Sequence, residues 1–291
     1  MMEEKGLLPT FSRLETRQPQ TRVEWSSLPP ACRIEAALPD NRKARKQVQI
    51  ENMLMHISHL IRLWQEENRA AICRVVEFCG GAGSLALPLA ALYPEIEVWM
   101  IENKTASLLI AIARAKEAGL KNLRIYDEDA FTFSAPFTIG VALHACGTLS
   151  CNVLDKSLNC GAWGVVICPC CVGKIAAKRT TPLSSLYREW FSESEFKSIL
   201  KAADWAHTEE SAEAEVEVEL NEKIRARRIC KALVEYDRIQ SLLRGGFLSA
   251  ALCTNVGGVS SPKHDIIVAC KAPSNWLHDL PPGYMTTSAP Y

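Results

Sequence analysis

The stretch that decides the fold is Val75-Val76-Glu77-Phe78-Cys79-Gly80-Gly81-Ala82-Gly83. Arg74 to Cys79 reads as a short apolar strand that runs into a glycine-rich turn. Ser84 to Leu92 then reads as a helix, with Pro88 tolerable only near its first turn. Glycines in such a turn let a ligand approach the main chain where a Cβ would block it. The alternation repeats downstream. Glu97 to Ile101 is strand-like and closes on Glu102, and Thr105 to Ala118 is an Ala/Leu/Ile helix capped by Gly119. Leu123 to Tyr126 is a third strand, followed by Asp127-Glu128-Asp129. Ile139 to Leu143 is a fourth, ending in His144-Ala145-Cys146-Gly147. Val165 to Cys168 is a fifth, ending in Pro169-Cys170-Cys171. Strands alternating with helices imply an α/β fold with a mostly parallel sheet and helices on both faces. Ligands of such sheets lie outside the carboxyl ends of the strands.

Outward from this core the signals are weaker. Residues 1–40 are punctuated by Pro9, Pro19, Pro29, Pro30 and Pro39 and read as a poorly ordered lead-in. Ile50, Met53, Leu54, Ile57, Leu60, Ile61 and Trp64 then mark an amphipathic helix, with Arg42, Lys43, Arg45 and Lys46 in its first turns. After Pro182, one helical segment is expected near Leu186 to Ala203 and another from about Asn221 to Leu243. Between them, Glu209 to Glu222 reads equally as an exposed strand or an acidic loop. Gly245-Gly246 opens a C-terminal hairpin, Phe247 to Asn255 and His264 to Cys270, and residues 272–291 read as tail.

The chain has 291 residues with 33 basic and 33 acidic side chains, which excludes a uniformly basic nucleic-acid binder but not a local basic face. No run reaches the ~18 apolar residues of a membrane span, so no membrane partner is expected. The charged start, Met1-Met2-Glu3-Glu4-Lys5, carries no apolar signal core, so a cytoplasmic location is expected, with the nucleus as the second compartment. In that reducing setting the 12 cysteines read as free thiols rather than a disulfide framework.

Three strand-end acids sharpen the glycine loop. Glu77 precedes it, Glu102 ends the second strand, where a carboxylate can accept ribose hydroxyls, and Asp129-Ala130 follows the third, where a carboxylate can hold an adenine amino group. An acid after each of the first three strands is the layout of class I S-adenosylmethionine-dependent methyltransferases. Nicotinamide enzymes instead cradle a pyrophosphate at this helix N-terminus, where Glu77 would sit badly. The cofactor-binding set expected is Glu77, Cys79, Gly81, Gly83, Glu102, Asp129, Ala130 and His144. Cys79, Cys146, Cys168, Cys170 and Cys171 fall at strand ends, near His144. Four roles stay open for this group: a compact wall beside the reactive methyl, a soft-metal site, a thiolate nucleophile, or plain core packing. No metal is expected, because adjacent Cys170 and Cys171 chelate poorly and no second Cys-x-x-Cys pair exists. The catalytic candidates are His144, Cys146 and Cys170.

Ala142-Leu143-His144-Ala145-Cys146-Gly147-Thr148, followed by Cys168-Pro169-Cys170-Cys171-Val172-Gly173, resembles the methyltransferase domain of the glutathione S-transferase C-terminal domain-containing protein family. More distantly it is similar to the tRNA acceptor-stem 2′-O-methyltransferases. Arg42 to Gln47 resembles the basic entry helix of these domains. Arg227-Arg228-Ile229-Cys230-Lys231 with Glu235-Tyr236-Asp237-Arg238 resembles their late helix, and Ser261-Pro262-Lys263-His264-Asp265 the turn before their last strand. The resemblance implies a Rossmann-like class I methyltransferase domain over residues 41–271, with a mostly parallel seven-stranded sheet. It implies S-adenosylmethionine as cofactor and an RNA substrate of tRNA type. Three basic groups suit RNA: Arg42 to Lys46, Lys174 with Lys178 and Arg179, and Arg225 to Arg228 with Lys231. The alternative is a catalytically inactive module that binds the cofactor or a partner. Departures from the family are Cys79 at the usual first loop glycine, Ser150-Cys151 in place of an acid, and His264 in place of Asn.

Overall fold

Strand β1 (Arg74–Phe78) alternates between two apolar layers, and this places it in the middle of the sheet. Val76 and Phe78 face one layer, and Val75 faces the other. The computed structural model describes residues 23–34, 40–169, 172, 175, 178–205, 218–254, 265–273 and 285–287. The further strands are β2 (Glu97–Glu102), β3 (Leu123–Asp127), β4 (Ile139–Leu143), β5 (Gly164–Cys168), β6 (Ser249–Thr254), β7 (Asp265–Cys270) and β8 (Met285–Thr287). They form one sheet in the order β3-β2-β1-β4-β5-β7-β6-β8. The first five are parallel, and β7 runs antiparallel to both β5 and β6. Seven strands and the C-terminal β6–β7 pair are the architecture expected. The three-residue β8 adds an edge strand from the segment read as tail, pairing Leu252 with Met285.

The helices divide between the two faces. α1 (Asp40–Glu67), α2 (Ala86–Leu92) and α3 (Thr105–Glu117) cover one. α4 (Thr148–Asn159), α5 (Ser185–Trp190), α6 (Glu193–Trp205) and α7 (Val218–Arg244) cover the other. The segment read as one helix near Leu186 to Ala203 is two, because Phe191 turns extended (φ −123°, ψ 128°). Ser192 then opens a capping box: its N–H donates to Glu195 Oε2 at 2.8 Å, and Glu195 N–H donates back to Ser192 Oγ at 3.3 Å. Of the glutamate run, Glu209 to Glu217 lie outside the described residues, whereas Glu219 and Glu222 fall in the first turns of α7.

Residues 23–34 of the expected lead-in are seated on the domain. They form two single 3-10 turns, Trp25–Ser27 and Pro30–Cys32, and Leu28 and Cys32 are buried against Leu87 of α2. Arg114 of α3 holds them. Its guanidinium donates to the carbonyls of Ala31 (2.9 Å) and Arg33 (2.8 Å), and also to that of Ala82 in the glycine loop (2.7 Å). A planar fork with five donors suits three carbonyls at once. Arg114→Ala therefore releases both segments. It is expected to cost about 1–3 kcal/mol in urea unfolding and to speed amide exchange at residues 28–33 and in the glycine loop. Unchanged exchange would contradict this clamp.

Candidate cofactor cleft

The strand order reverses between β1 and β4, so a crevice opens at their carboxyl ends. Register places the two strands side by side, with Val75, Val76 and Glu77 opposite Ile139, Gly140 and Val141. Among the described residues, the only non-glycines with positive φ are Cys79 (58°) and His144 (66°), one just past each strand. Strained residues persist where the surroundings hold them, and they cluster at functional rims. A cleft of about 350 Å³ lies here, within the range that holds small ligands. Cys79, Glu102, Asp129, Ala130 and Cys146 line it, as do Ile101, Asn103, Glu128, Phe131, Thr148, Leu149 and Lys178.

Glu102 joins the second strand to the glycine loop. One carboxylate oxygen accepts the Gly81 N–H at 2.8 Å, and the other accepts the Lys104 N–H at 2.8 Å. Two backbone donors fix the plane of the carboxylate, and each oxygen keeps acceptor capacity for a ribose hydroxyl. Gly81 adopts φ +58°, and a Cβ there would project into open space, the cradle a ligand can fill. Gly83 has another task. At φ +78°, its Cβ would come 1.9 Å from Leu87 Cδ1, so it lets the helix pack close. Asp129 accepts from Phe131 N–H at 2.8 Å and from Asn103 Nδ2 at 3.2 Å, beside the apolar Ala130. These residues fit an adenosyl group, with apolar walls for the base and carboxylates for its polar edge.

Gly81, Gly83, Glu77 and His144 do not line the cleft. His144 is half-buried, and its Nε2 lies 2.9 Å from Gln49 Oε1 on α1. Gln49 was not anticipated, since only the fold brings it to a residue so distant in sequence. Asn103 and Phe131, which also went unsingled, directly neighbour expected acids. Cys79 and Cys146 share the cleft, and burial first, then the surrounding acids, push the Cys79 thiol up to about 12. Cys168 is instead wholly buried in the apolar layer with α1, so its thiol is core packing and not cleft wall. Cys170, Cys171 and Lys174 lie outside the described residues. Among the described residues, no group of three or more His, Cys, Asp or Glu side chains could hold a metal ion, and no helix is long and apolar enough to cross a membrane.

The basic groups separate. Lys231 is buried and pairs with Asp265 at 2.8 Å, so it leaves the set of RNA-facing cations. Arg179 is committed to the carbonyls of Thr181 (2.8 Å) and Pro182 (3.1 Å). Arg238 is fully buried, bonds Glu235 at 2.6 Å and reaches the Gly147 carbonyl at 3.4 Å, so α7 braces the loop after β4. Asp237 accepts from the Leu183 and Ser184 N–H groups at 2.6 and 2.8 Å. Lys231, Glu235, Asp237 and Arg238 of the late-helix motif thus form an internal ionic frame, while Arg228 is exposed. The first turns of α1 remain at the surface, with Arg42 and Arg45 exposed.

Glu77 is 2% exposed and accepts the Ala86 N–H at 2.8 Å, which caps α2. Burial raises its pKa from 4.5 to about 8, partly opposed by that hydrogen bond. The folded protein therefore holds the proton more tightly than the unfolded chain. The resulting stabilisation is complete below 4.5 and is lost as the pH rises toward about 8. Denaturant unfolding of the unliganded protein should show stability falling across this window. Glu77→Gln should flatten that fall, and an equal slope in the variant would refute the assignment.

The family model described as a methyltransferase domain matches residues 45–178. A curated relative, the glutathione S-transferase C-terminal domain-containing protein of Bos taurus, is 31% identical over 268 residues, 91% of this chain and 39% of its own length. The Homo sapiens protein of the same name is 30% identical over the same extent. The chain thus spans about two fifths of the relatives it matches. Among solved structures, the magnesium protoporphyrin IX methyltransferase of Synechocystis PCC 6803 with bound SAH aligns at a TM-score of 0.47. It is 13% identical, with 82% of this chain and 90% of that chain covered. With a matched methyltransferase domain, this strand order and a cleft of this composition, the chain belongs to the class I methyltransferases, a family whose cofactor is S-adenosylmethionine, alongside the methyltransferase domain of the glutathione S-transferase C-terminal domain-containing proteins.

Proposed function

We propose that the domain binds S-adenosylmethionine in this cleft and directs methyl transfer to RNA of tRNA type. The observation that carries the cofactor reading is the charge of the lining: Glu102, Glu128 and Asp129 stand there against Lys178. Three carboxylates repel the phosphates of a nucleotide cofactor and suit a cationic one. When bound, the cofactor supplies a methyl group already activated by its sulfonium. The chain's own work is to hold and to align. Glu102 accepts the ribose hydroxyls, Asp129 and Ala130 meet the adenine, and Gly81 gives the main chain close approach. Glu77, buried behind the glycine loop where it accepts the Ala86 N–H, would serve the cofactor's ammonium. Cys79 and Cys146 wall the cleft, and Thr148 and Leu149 continue that wall. His144 is the candidate to orient the acceptor and take its proton.

RNA is favoured by the course of α1. Its Leu60 lies against Gly164 at the start of β5, and its Gln49 meets His144 past the end of β4. The helix therefore climbs backward toward the carboxyl rim. At ~1.5 Å per residue, Arg42 to Lys46 project roughly 5–10 Å beyond Gln49. Cations at the carboxyl rim of the sheet suit a phosphate backbone.

Titration with S-adenosylmethionine should give saturable binding, weakened by roughly 1–3 kcal/mol in Glu102→Ala. Unchanged affinity in that variant would refute the placement of Glu102. Transfer of labelled methyl to RNA from cells lacking the protein should be detected. The combined change Arg42→Glu and Arg45→Glu should weaken RNA binding and lower the slope of log K against log salt by about 2. Cofactor binding without transfer to any RNA would instead select the inactive-module reading.

A further inference from the structure

The sheet edge at β3 carries an apolar helix face that is exposed among the described residues. On α3, Leu109, Ile110 and Ile112 are 60%, 50% and 44% exposed, and Ala106 and Ala113 share that outward side. The inward side holds Leu108 and Ala111, which are buried. Over two turns, from Ala106 to Ala113, the solvent side of this helix has no charged residue, the reverse of an ordinary surface helix. α3 packs against β3, the terminal strand of the sheet, whose outer main-chain groups have no neighbouring strand among the described residues. An open edge beside an apolar helix is a template for another chain.

The charges along the edge say which chain. Lys121 and Arg124 stand at its beginning and are exposed, Ile125 is at its centre, and Asp127 and Glu128 stand at its end. Arg124 keeps 61% of its side chain in solvent even with Glu97 at 3.9 Å. Reversing this strand sets its basic half against its own acidic half. A parallel, in-register copy would instead oppose like charges along the whole edge. A two-fold axis through the sheet at Tyr126 sets Arg124 of one copy opposite Glu128 of the other and keeps both α3 helices on one face, where their apolar sides can meet.

We propose that the β3–α3 edge binds a second copy of this chain, strand antiparallel to strand, to form a two-fold dimer with one continuous sheet. Arg124 of each copy faces Glu128 of the other, on the same side of the sheet. Leu109, Ile110 and Ile112 form the apolar seam. The two cofactor clefts then open at opposite ends of the joined sheet. None of these edge residues is assigned to cofactor binding except Glu128, which lines the cleft.

Sedimentation of the full chain at micromolar concentration tests this, and the native protein should run as a dimer. Leu109→Glu with Ile112→Glu, both at exposed positions and so compatible with folding, should run as a monomer with an unchanged circular-dichroism melt. Arg124→Glu alone and Glu128→Arg alone should each weaken the dimer by roughly tenfold or more, and mixing the two variants should restore a dimer containing one copy of each. A native chain that stays monomeric overturns the proposal. A dimer insensitive to these substitutions, or a mixture that fails to recover, overturns it equally.

Discussion

Every group at the cleft depends on one ladder of backbone hydrogen bonds, the pairing of β1 with β4. Val75, Val76 and Glu77 lie opposite Ile139, Gly140 and Val141, so two chain segments more than sixty residues apart end on one rim. Because β2 and β3 extend the sheet one way and β5 the other, no strand fills the space above this junction. Past it, Cys79 and His144 take up positive φ, and the glycine turn leans on Glu102 at the end of β2. A slip of one residue would turn Glu77 from its cap on Ala86 N–H to the opposite apolar layer. The buried faces on both sides of β1 forbid that slip.

The cleft combines fixed acids with a braced wall. Glu102 is oriented by two backbone donors before any ligand arrives, which lowers the ordering cost of binding. On the other side, the loop from His144 to Gly147 is held by Gln49 of α1 and by Arg238 of α7. These two helices cover opposite faces of the sheet, so the loop after β4 is clamped from above and below. Leaving Glu235 without Arg238 would strand a buried carboxylate, so this frame holds as a unit or fails as one.

Much of this was legible in the residues because it is local. Apolar runs closed by glycine or acid mark β1 to β3, His144 and Pro169 close β4 and β5, and Glu102, Asp129 and Cys146, at or just past their strands, lie on the cleft as the alternation implies. What stayed hidden depends on partners distant in sequence. Lys231 and Arg238 read as surface cations or as family motif, yet Asp265 and Glu235 draw them into the interior. Cys168 ends β5 inside the apolar layer beside α1, whereas Cys146 lies three residues past the end of β4 and lines the cleft, a difference that shows only once the neighbouring elements are in place. The seating of residues 23–34 rests on Arg114, whose three carbonyl acceptors have no sequence pattern. The capping box from Ser192 to Glu195, in contrast, was written in the sequence, and the helical periodicity running across it masked it.

The central claim is that the acids and glycines at the β1–β4 junction form one adenosyl-cofactor site. Amide hydrogen exchange with and without S-adenosylhomocysteine tests it most directly, because it reads the main chain at each rim segment without needing a substrate. Added ligand should slow exchange together at residues 79–83, 102–104, 129–131 and 144–149, and should leave β6 and β7 unchanged. Saturating ligand that protects none of these segments, or protects a surface elsewhere, would contradict the account.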